Sequence, residues 1–556
     1  MSYDQHVEQL ARHLAILPFG ERLTELSASD SDPALWRAVL DEAARVAAEV
    51  VAPVDPVLDR VGARLIDGRV VTPPEHRQAW ERFAAGGWIG LTEPGALCST
   101  LPLALATAVD ELFNRASAAF MMLPNASRAA AALLVERAPA ALAEQWVPRL
   151  LSGEWAATIC ISEPGAGSDV GRIRTRAAQH EGVWRITGNK CWISYGDHDL
   201  SARIGHCLLA RTGDAPGVRG LSLFLVPSHT AAGAPNGITV GRIEAKMGLH
   251  GSPTCVLDLE DTEGLLIGAP GEGLQQLFTM MLRMRLSCGP QGTGVAAAAL
   301  ETALAYAGER RQGGAADRPA IAIASHADVQ RQLLAMAGQV EVARGLNLAA
   351  ATAMDLARLE PDAGRARDWS ELAQLLLPLV KDGGAWCAFR VASAAVQVLG
   401  GAGYTREWPV ERHVRDSRVF SLFEGTTGIQ ALDLLHRRIA RDKGAGLLRL
   451  LALVRADAAE TPMAEPLLAA LDRLVALVAP TLMVGDAGAA HLLELVTLVA
   501  QGWIAARIVA RSGDDATGRR MRAGAAFFLS ELGPRATMLA DLATSAGPAL
   551  AGFAAL

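Results

Sequence analysis

Cysteine and histidine are scarce, 7 and 12 in 556 residues. Cys98, Cys160, Cys191, Cys207, Cys255, Cys288 and Cys387 form no C-x-x-C pair and are odd in number. That excludes a disulfide framework or a cysteine zinc site and points to reduced thiols. An excess of positive charge is missing too: 52 Lys+Arg face 59 Asp+Glu, a net charge of −7, so there is no global basic field for nucleic acid. Charge-free apolar runs fall short of the ~20 residues that cross a bilayer; the run from Leu97 ends at Asp110, and no membrane span is expected. The start, MSYDQHVEQLARHL, lacks the apolar centre of a signal peptide, so a cytoplasmic location is expected. Apolar material is plentiful, at 51%, which excludes disorder as the main state. The length suggests about three or four domains.

The texture along the chain is α, then β, then α again. Leu35, Val39, Ala43, Val46 and Val50 lay one stripe along a helix, which Pro53 and Pro56 should break. Pro73-Pro74 marks the next helix start, and a helical stretch runs over about 105–137, with Gly153 closing the region. Between Trp155 and Leu266, short strand-like runs at 156–161, 183–187, 190–194, 204–211, 221–226, 238–243 and 254–259 alternate with turn residues; they predict a β-domain of about seven strands. Helical stretches at about 273–312, 326–358, 367–400 and 425–442 suggest a bundle, with 312–325 as a loop, and the chain from Gly444 is again helical. The fold class is therefore α+β, mostly α. The domains expected are 1–154 helical, 155–272 β, 273–443 bundle and 444–556 a helical extension.

Three motifs carry possible chemistry. Ser162-Glu163-Pro164-Gly165-Ala166-Gly167-Ser168-Asp169 follows a strand; its glycines let backbone N–H groups approach a ligand, though strand-to-loop turns are often Gly-rich. In Gly188-Asn189-Lys190-Cys191-Trp192-Ile193-Ser194, alternation puts Trp192 and Ser194 on one strand face. An indole beside a hydroxyl suits a flat heteroaromatic ligand; the plainer alternative is a core tryptophan. In Phe423-Glu424-Gly425-Thr426-Thr427-Gly428 a carboxylate sits between apolar residues and a helix start. Apolar surroundings would raise its pKa and suit a base for a weakly acidic C–H, whereas the helix end favours the anion; a capping Glu is the alternative.

The ordered set SEPGAGSD, GNKCWIS, KMGLHGSPTCVLDL, LRMRLSCGPQGTG, QVLGGAGYTREWPVERHVRDSRV and FEGTTGIQALDLL resembles the acyl-CoA dehydrogenase family over residues 155–440. Ser194–Leu200, Met247–Cys255 and the C-terminal extension resemble the long branch that includes 3-methylmercaptopropionyl-CoA dehydrogenase. The resemblance implies an N-terminal helical domain, a barrel-like β-domain, a four-helix bundle and an added helical domain. It implies FAD, an acyl-CoA substrate of short or medium length or bearing a methylthio group, electron-transfer flavoprotein as acceptor, and a homodimer. By position, Glu424 matches the base that removes the α-proton while the β-hydrogen leaves as hydride to flavin N5. Ile161, Ser162, Trp192, Ser194 and Thr426 match flavin contacts, and Arg310 an FAD-phosphate contact. Gln397, Gly400 and Gly401 match a loop that reaches the neighbouring subunit's FAD. Ser168 and Arg285 match substrate-side positions. No metal is implied.

Three departures stand out. The segment Pro94–Pro102 lacks the double glycine usual in this branch, Gly428 replaces a polar residue, and Phe423 replaces a Tyr. An acyl-CoA oxidase and a carrier-protein-thioester desaturase of the same fold remain open alternatives. A DNA-associated flavoprotein is disfavoured: beyond Gly444 arginines such as Arg449, Arg507 and Arg522 occur without any Lys, among at least as many acids.

Overall fold

A computed structural model describes residues 3–27, 32–91, 101–550 and 552–553. The chain forms two compact units. One, mostly helical, comprises Met1–Arg45, Pro102–Arg115 and Arg285–Leu556; the other, built on a sheet, comprises Val46–Leu101 and Ala116–Met284. The first 154 residues are thus distributed between both. The segment 94–100, where the double glycine is lacking, lies outside the described residues.

In the sheet unit the strands are β1 (Arg64–Ile66), β2 (Arg69–Val71), β3 (Trp155–Cys160), β4 (Arg176–His180), β5 (Val183–Ser194), β6 (Arg203–Arg211), β7 (Leu221–Pro227), β8 (Ile238–Ile243) and β9 (Thr254–Ile267). β1 and β2 form a hairpin over Asp67-Gly68, both at positive φ, the backbone such two-residue turns require. The other seven form one sheet in the order β3-β6-β4-β5-β9-β7. β6 also pairs with β7, which closes a ring of five, and β8 lies on β9. Inside it pack Cys160, Ile186, Ile193, Leu208, Phe224, Val226 and Leu257. Seven strands were expected, but the set differs. The runs 183–187 and 190–194 are one strand, because Gly188-Asn189 marks a register shift rather than a break. A Cβ on Gly188 would lie 2.4 Å from Thr175 Oγ1, so glycine is needed there for close approach. β4 escapes a periodicity reading because only Ala177 faces inward.

The helical unit centres on three long helices, Gly273–Glu309 from Arg285 on, Ala327–Leu359 and Ala363–Leu399. The first and third cross at a glycine contact: a Cβ on Gly292 would sit 2.1 Å from the carbonyl oxygen of Gly384. Fully buried polar side chains tie in the amino-terminal helix. His6 Nε2 lies 2.8 Å from Glu111 Oε1, Arg344 Nε donates to the same oxygen at 2.7 Å, and His13 Nε2 lies 2.6 Å from Glu341 Oε2. Four helices follow: Ala445–Ala458, Glu465–Val484, Asp486–Arg511 and Ala516–Leu550.

Two expectations need correction. Pro53 and Pro56 do not end the helical course after Val46. The chain continues through a π turn (Ala47–Val51), a 3-10 turn (Ala52–Val54) and a helix (Asp55–Arg60), with each proline in a first turn, where its missing N–H costs nothing. The stretch 425–442 is a six-residue α-helix, Thr427–Leu432, followed by a π-helical segment, Asp433–Arg441.

Among the described residues four helical stretches are long and apolar enough to cross a membrane: Ala118–Arg137, Ala363–Tyr404, Glu465–Val484 and Asp486–Arg511. A scan for charge-free runs misses them, since up to two charges fit in such a window. Ala118–Arg137 and Asp486–Arg511 spend that apolarity in the protein core. None of the six described cysteines is in a disulfide, and all are buried. Burial pushes the thiols of Cys160, Cys207, Cys255, Cys288 and Cys387 up to about 12.

Candidate active site

In the sheet unit the loop after β3 is a tight turn: Glu163 and Ala166 exchange two backbone hydrogen bonds of 3.0 Å. The Glu163 carboxylate turns inward and accepts from the N–H of Arg174 (2.7 Å), the N–H of Thr175 (3.1 Å) and Lys190 Nζ (2.9 Å). Lys190, fully buried on β5, also donates to the carbonyls of Ile161 (3.0 Å) and Leu209 (2.8 Å). Burial opposes both charges. Lys190 and the backbone donors still hold the Glu163 carboxyl below its ordinary value, while burial draws Lys190 down. One ion pair thus pins the end of β3 to the middle of β5. The Cys191 N–H completes the join by donating to the Ser162 carbonyl at 2.9 Å.

Beyond that join β5 bulges. Lys190 and Ile193 pair with Leu257 and Cys255, so β5 carries one residue more than its partner strand. Trp192 sits in the bulge at φ 63 with its side chain 62% exposed. A left-handed backbone costs a bulky residue about 1–2 kcal/mol, and an exposed indole recovers nothing by burial. This rules out a core tryptophan, and the bulge replaces simple alternation as the way Trp192 and Ser194 are placed. Ser162 and Ser194 are half-buried, and among the described residues neither hydroxyl has a hydrogen-bond partner. An unstacked indole beside two unspent hydroxyls fits a flat ligand with polar edges. Ser168 is exposed on the loop. Behind β5, buried Tyr195 donates its hydroxyl to the carbonyls of Ala119 (3.1 Å) and Gly251 (3.3 Å). Asp197 and Asp199 accept from the N–H groups of Val70 and Thr72 and hold the β1–β2 hairpin.

In the helical unit Glu424 sits half-buried at φ 53, followed by Gly425 at φ 93. Fully buried Gln430 fixes this strained turn by donating Nε2 to the Glu424 carbonyl at 3.0 Å. Thr426 caps the helix that follows, accepting from the Ile429 N–H. Thr427 donates to Asp382 Oδ1 at 2.6 Å, which ties the turn to the long helix Ala363–Leu399. Burial raises the Glu424 carboxyl above its ordinary value, against the pull of the Arg285 and Lys381 cations. Arg285 and Lys381 are buried, and among the described residues Arg285 Nε, Lys381 Nζ and Gln430 Oε1 have no hydrogen-bond partner. A carboxylate of raised proton affinity, held on a rigid turn, can act as a base.

The remaining positions lie elsewhere in this unit. Arg310, Gln397, Gly400 and Gly401 are exposed at one end of the bundle, where Tyr306 packs edge-on against Trp408 at 5.2 Å. Arg285 and Arg310 are 25 positions apart (310 minus 285) along consecutive helical turns that end at Glu309. At 1.5 Å per residue that is roughly 37 Å, so within one chain these residues and Glu424 do not share a subsite. Gly400 adopts φ 62, ψ −137, a conformation essentially reserved to glycine. Glu163, Lys190, Gln430, Lys381 and Asp382 are the positioning residues that sequence reasoning missed. Three of them stand inside the quoted motifs, but a buried acid or amide next to an exposed functional residue carries no signature of its own.

A barrel that presents a bare aromatic face and free hydroxyls, and a helical unit that holds a carboxylate of raised basicity, define a flavin-dependent oxidoreductase. Comparison with known proteins narrows the class. The acyl-CoA dehydrogenase middle domain matches residues 158–262, and the C-terminal domain of the same family matches residues 271–440. The 3-methylmercaptopropionyl-CoA dehydrogenase of Ruegeria pomeroyi is 36% identical over 474 residues, 83% of this chain and 80% of that protein. The broad-specificity linear acyl-CoA dehydrogenase FadE5 of Mycobacterium tuberculosis is 38% identical over 311 residues, 52% of this chain and 51% of its own length. In fold, Caenorhabditis elegans ACDH-11, solved with C11-CoA, superposes with TM-score 0.77 at 20% identity over 94% of this chain and 90% of its own. A Bacillus anthracis acyl-CoA dehydrogenase solved with FAD gives 0.75 at 20% identity over 91% and 88%. The chain belongs to the acyl-CoA dehydrogenase family: it is a flavoprotein oxidoreductase that dehydrogenates acyl-CoA.

Proposed function

We propose that this protein introduces an α,β double bond into a short- or medium-chain acyl-CoA, methylthio-substituted chains included, with Glu424 as the base and FAD as the cofactor. The observation that carries the reading is Glu424 itself, strained at φ 53 and raised in basicity by burial. Its carboxylate takes the α-proton. Bound FAD supplies the acceptor for the β-hydrogen, which leaves with its electron pair. The Trp192 indole offers a face for stacking and the Ser162 and Ser194 hydroxyls offer hydrogen bonds to a ring edge. The chain-length preference rests on the 36% identity to a methylmercaptopropionyl-CoA enzyme. The roughly 37 Å between the Glu424 level and the Arg310/Gly400 end supports a homodimer in which Gln397, Gly400 and Gly401 serve the partner's FAD. Electron-transfer flavoprotein fits as the acceptor.

Glu424→Gln tests the central claim. It keeps the volume and removes the basic lone pair. Anaerobic bleaching of the flavin by acyl-CoA should slow by at least ~10³-fold, with FAD content and acyl-CoA binding retained. A merely capping Glu would instead cost about 1 kcal/mol of stability and leave turnover near normal. Bleaching within a few-fold of wild type would place the base elsewhere.

A further inference from the structure

Lys381 is fully buried, and among the described residues it forms neither a hydrogen bond nor an ion pair. An ammonium taken out of water without a partner is costly. A methionine of similar length would fill the same space without that cost. Buried ionisable groups of this kind concentrate where their charge is used. The position of Lys381 shows where that use lies. On one side the helix Ala363–Leu399 crosses the helix Gly273–Glu309: a Cβ on Gly289 would lie 2.5 Å from Val380 Cγ1, and one on Gly384 would lie 3.1 Å from the Cys288 carbonyl oxygen. Arg285 stands one turn before Gly289 on the same helix face. On the other side Asp382 accepts from the Thr427 hydroxyl at 2.6 Å, and Trp386 Nε1 donates to that hydroxyl at 3.3 Å. Thr427 lies three residues after Glu424, on the turn that Gln430 fixes. Lys381 therefore stands between the Arg285 face and the turn that carries Glu424.

The titratable and charged groups that face Lys381 are Cys288 and Arg285 from the crossing helix, Asp382 beside it and Glu424 from the turn. Asp433, Arg437 and Arg438 act in turn on Arg285, and Glu494 and Arg390 on Asp382. Burial draws Lys381 below its ordinary value, and Cys288, Asp382 and Glu424 oppose that fall. Burial also raises Asp382. For Glu424 the opposing pulls against burial come from two cations, Arg285 and Lys381. Neither forms an ion pair with it among the described residues.

We propose that Lys381 is a positioning residue of the dehydrogenation, its buried ammonium being the fixed counter-charge that keeps Glu424 a carboxylate. The inference rests on Glu424 being the base. Burial alone favours the neutral acid, which cannot take the α-proton; a cation nearby favours the anion. The lack of a direct bond between the two groups suits this task. A contact ion pair would occupy the carboxylate lone pairs, whereas a cation held apart stabilises the charge and leaves those lone pairs free for the proton.

Lys381→Met removes the charge and keeps the length. Anaerobic bleaching of the flavin by acyl-CoA, followed by stopped flow across a range of pH, should rise with pH along a limb set by Glu424. In Lys381→Met that limb should move up by about one pH unit. Bleaching at acid pH then slows roughly tenfold, while the alkaline plateau stays within a few-fold of wild type. Lys381→Arg keeps the cation and should restore the wild-type limb. FAD content should not change, and Lys381→Met should melt at or above the wild-type temperature, since an unpaired buried charge has been removed. A lysine with a purely structural role predicts the reverse, lower melting and an unmoved limb. An unmoved limb in Lys381→Met, or an equal shift in Lys381→Arg, would overturn the proposal. So would failure of both Lys381→Met and Lys381→Gln to fold. Glu424→Gln measured alongside separates the two claims. If it bleaches like wild type, the assignment of the base falls and this inference with it. If it is slow while the Lys381→Met limb is unmoved, the role of Lys381 alone is refuted.

Discussion

The ion pair Glu163–Lys190 gives the sharpest test of how the sheet unit is held. Its side chains are 7% and 0% exposed, and four hydrogen bonds besides the pair itself converge on it. In Glu163→Gln the amide oxygen can still accept, but the NH2 group must face a donor, either a backbone N–H or the ammonium. A buried charge stripped of its partner costs about 3–5 kcal/mol, and an orphaned N–H about 1 kcal/mol more. The expected loss is therefore at least about 4 kcal/mol. Lys190→Met removes the charge but leaves the carboxylate on two backbone donors, for about 3 kcal/mol. Once one partner is gone, removing the other costs little, so the double variant should lose about 4 rather than 7 kcal/mol, a coupling of about 3 kcal/mol. Urea unfolding of the four proteins measures the cycle, and flavin absorbance after gel filtration reports FAD retention. FAD should be lost in both single variants, since the pair holds the Ile161 carbonyl in place. Additive singles, or Glu163→Gln within about 1 kcal/mol of wild type, would refute the argument.

Acid should unfold the protein early. Burial pulls His6, His198 and His206 down to about 4 and His76 and His413 to about 3, from 6.5. The folded state keeps them neutral, so their contribution is complete above pH 6.5. It is lost as pH falls from there toward 4, by about 1.4 kcal/mol per histidine per pH unit. The midpoint of an acid titration followed by circular dichroism should lie above pH 4.5; a protein fully folded at pH 4 would contradict this. Gly292→Ala should cost at least ~2 kcal/mol because its methyl group meets the Gly384 carbonyl. Gly308→Ala, on the same helix with open space around it, should be neutral or stabilising by up to about 1 kcal/mol. Equal melting of the two variants would discount the glycine crossing.

Much of the fold was legible where one face of an element is buried. The long helices and the strand Ile238–Ile243 stand where helical spacing or alternation put them, and Leu221–Pro227, buried on both faces, where its continuous apolar run did. Legibility failed where the signal was local chemistry rather than period. The hairpin β1–β2, only three residues a side, escaped the sequence reading. The π-helical Asp433–Arg441 has the composition of an α-helix. At the site, Trp192, Ser194 and Glu424 were visible as unusual residues in unusual company. The positive φ of Trp192 and Glu424 was not, because strain is a property of the surroundings that impose it. Lys190 and Gln430 stood in the motifs without a role; the structure gives them buried partners.

The six buried thiols carry a practical consequence. Cys160, Cys191, Cys207 and Cys255 lie in the sheet unit, and Cys288 and Cys387 in the helical unit. With little thiolate at neutral pH and no access, each can react with an alkylating reagent only while its surroundings are open. Labelling rates read by mass spectrometry therefore act as two native clocks, one per unit. They time how often each half of the molecule breathes without any probe being introduced.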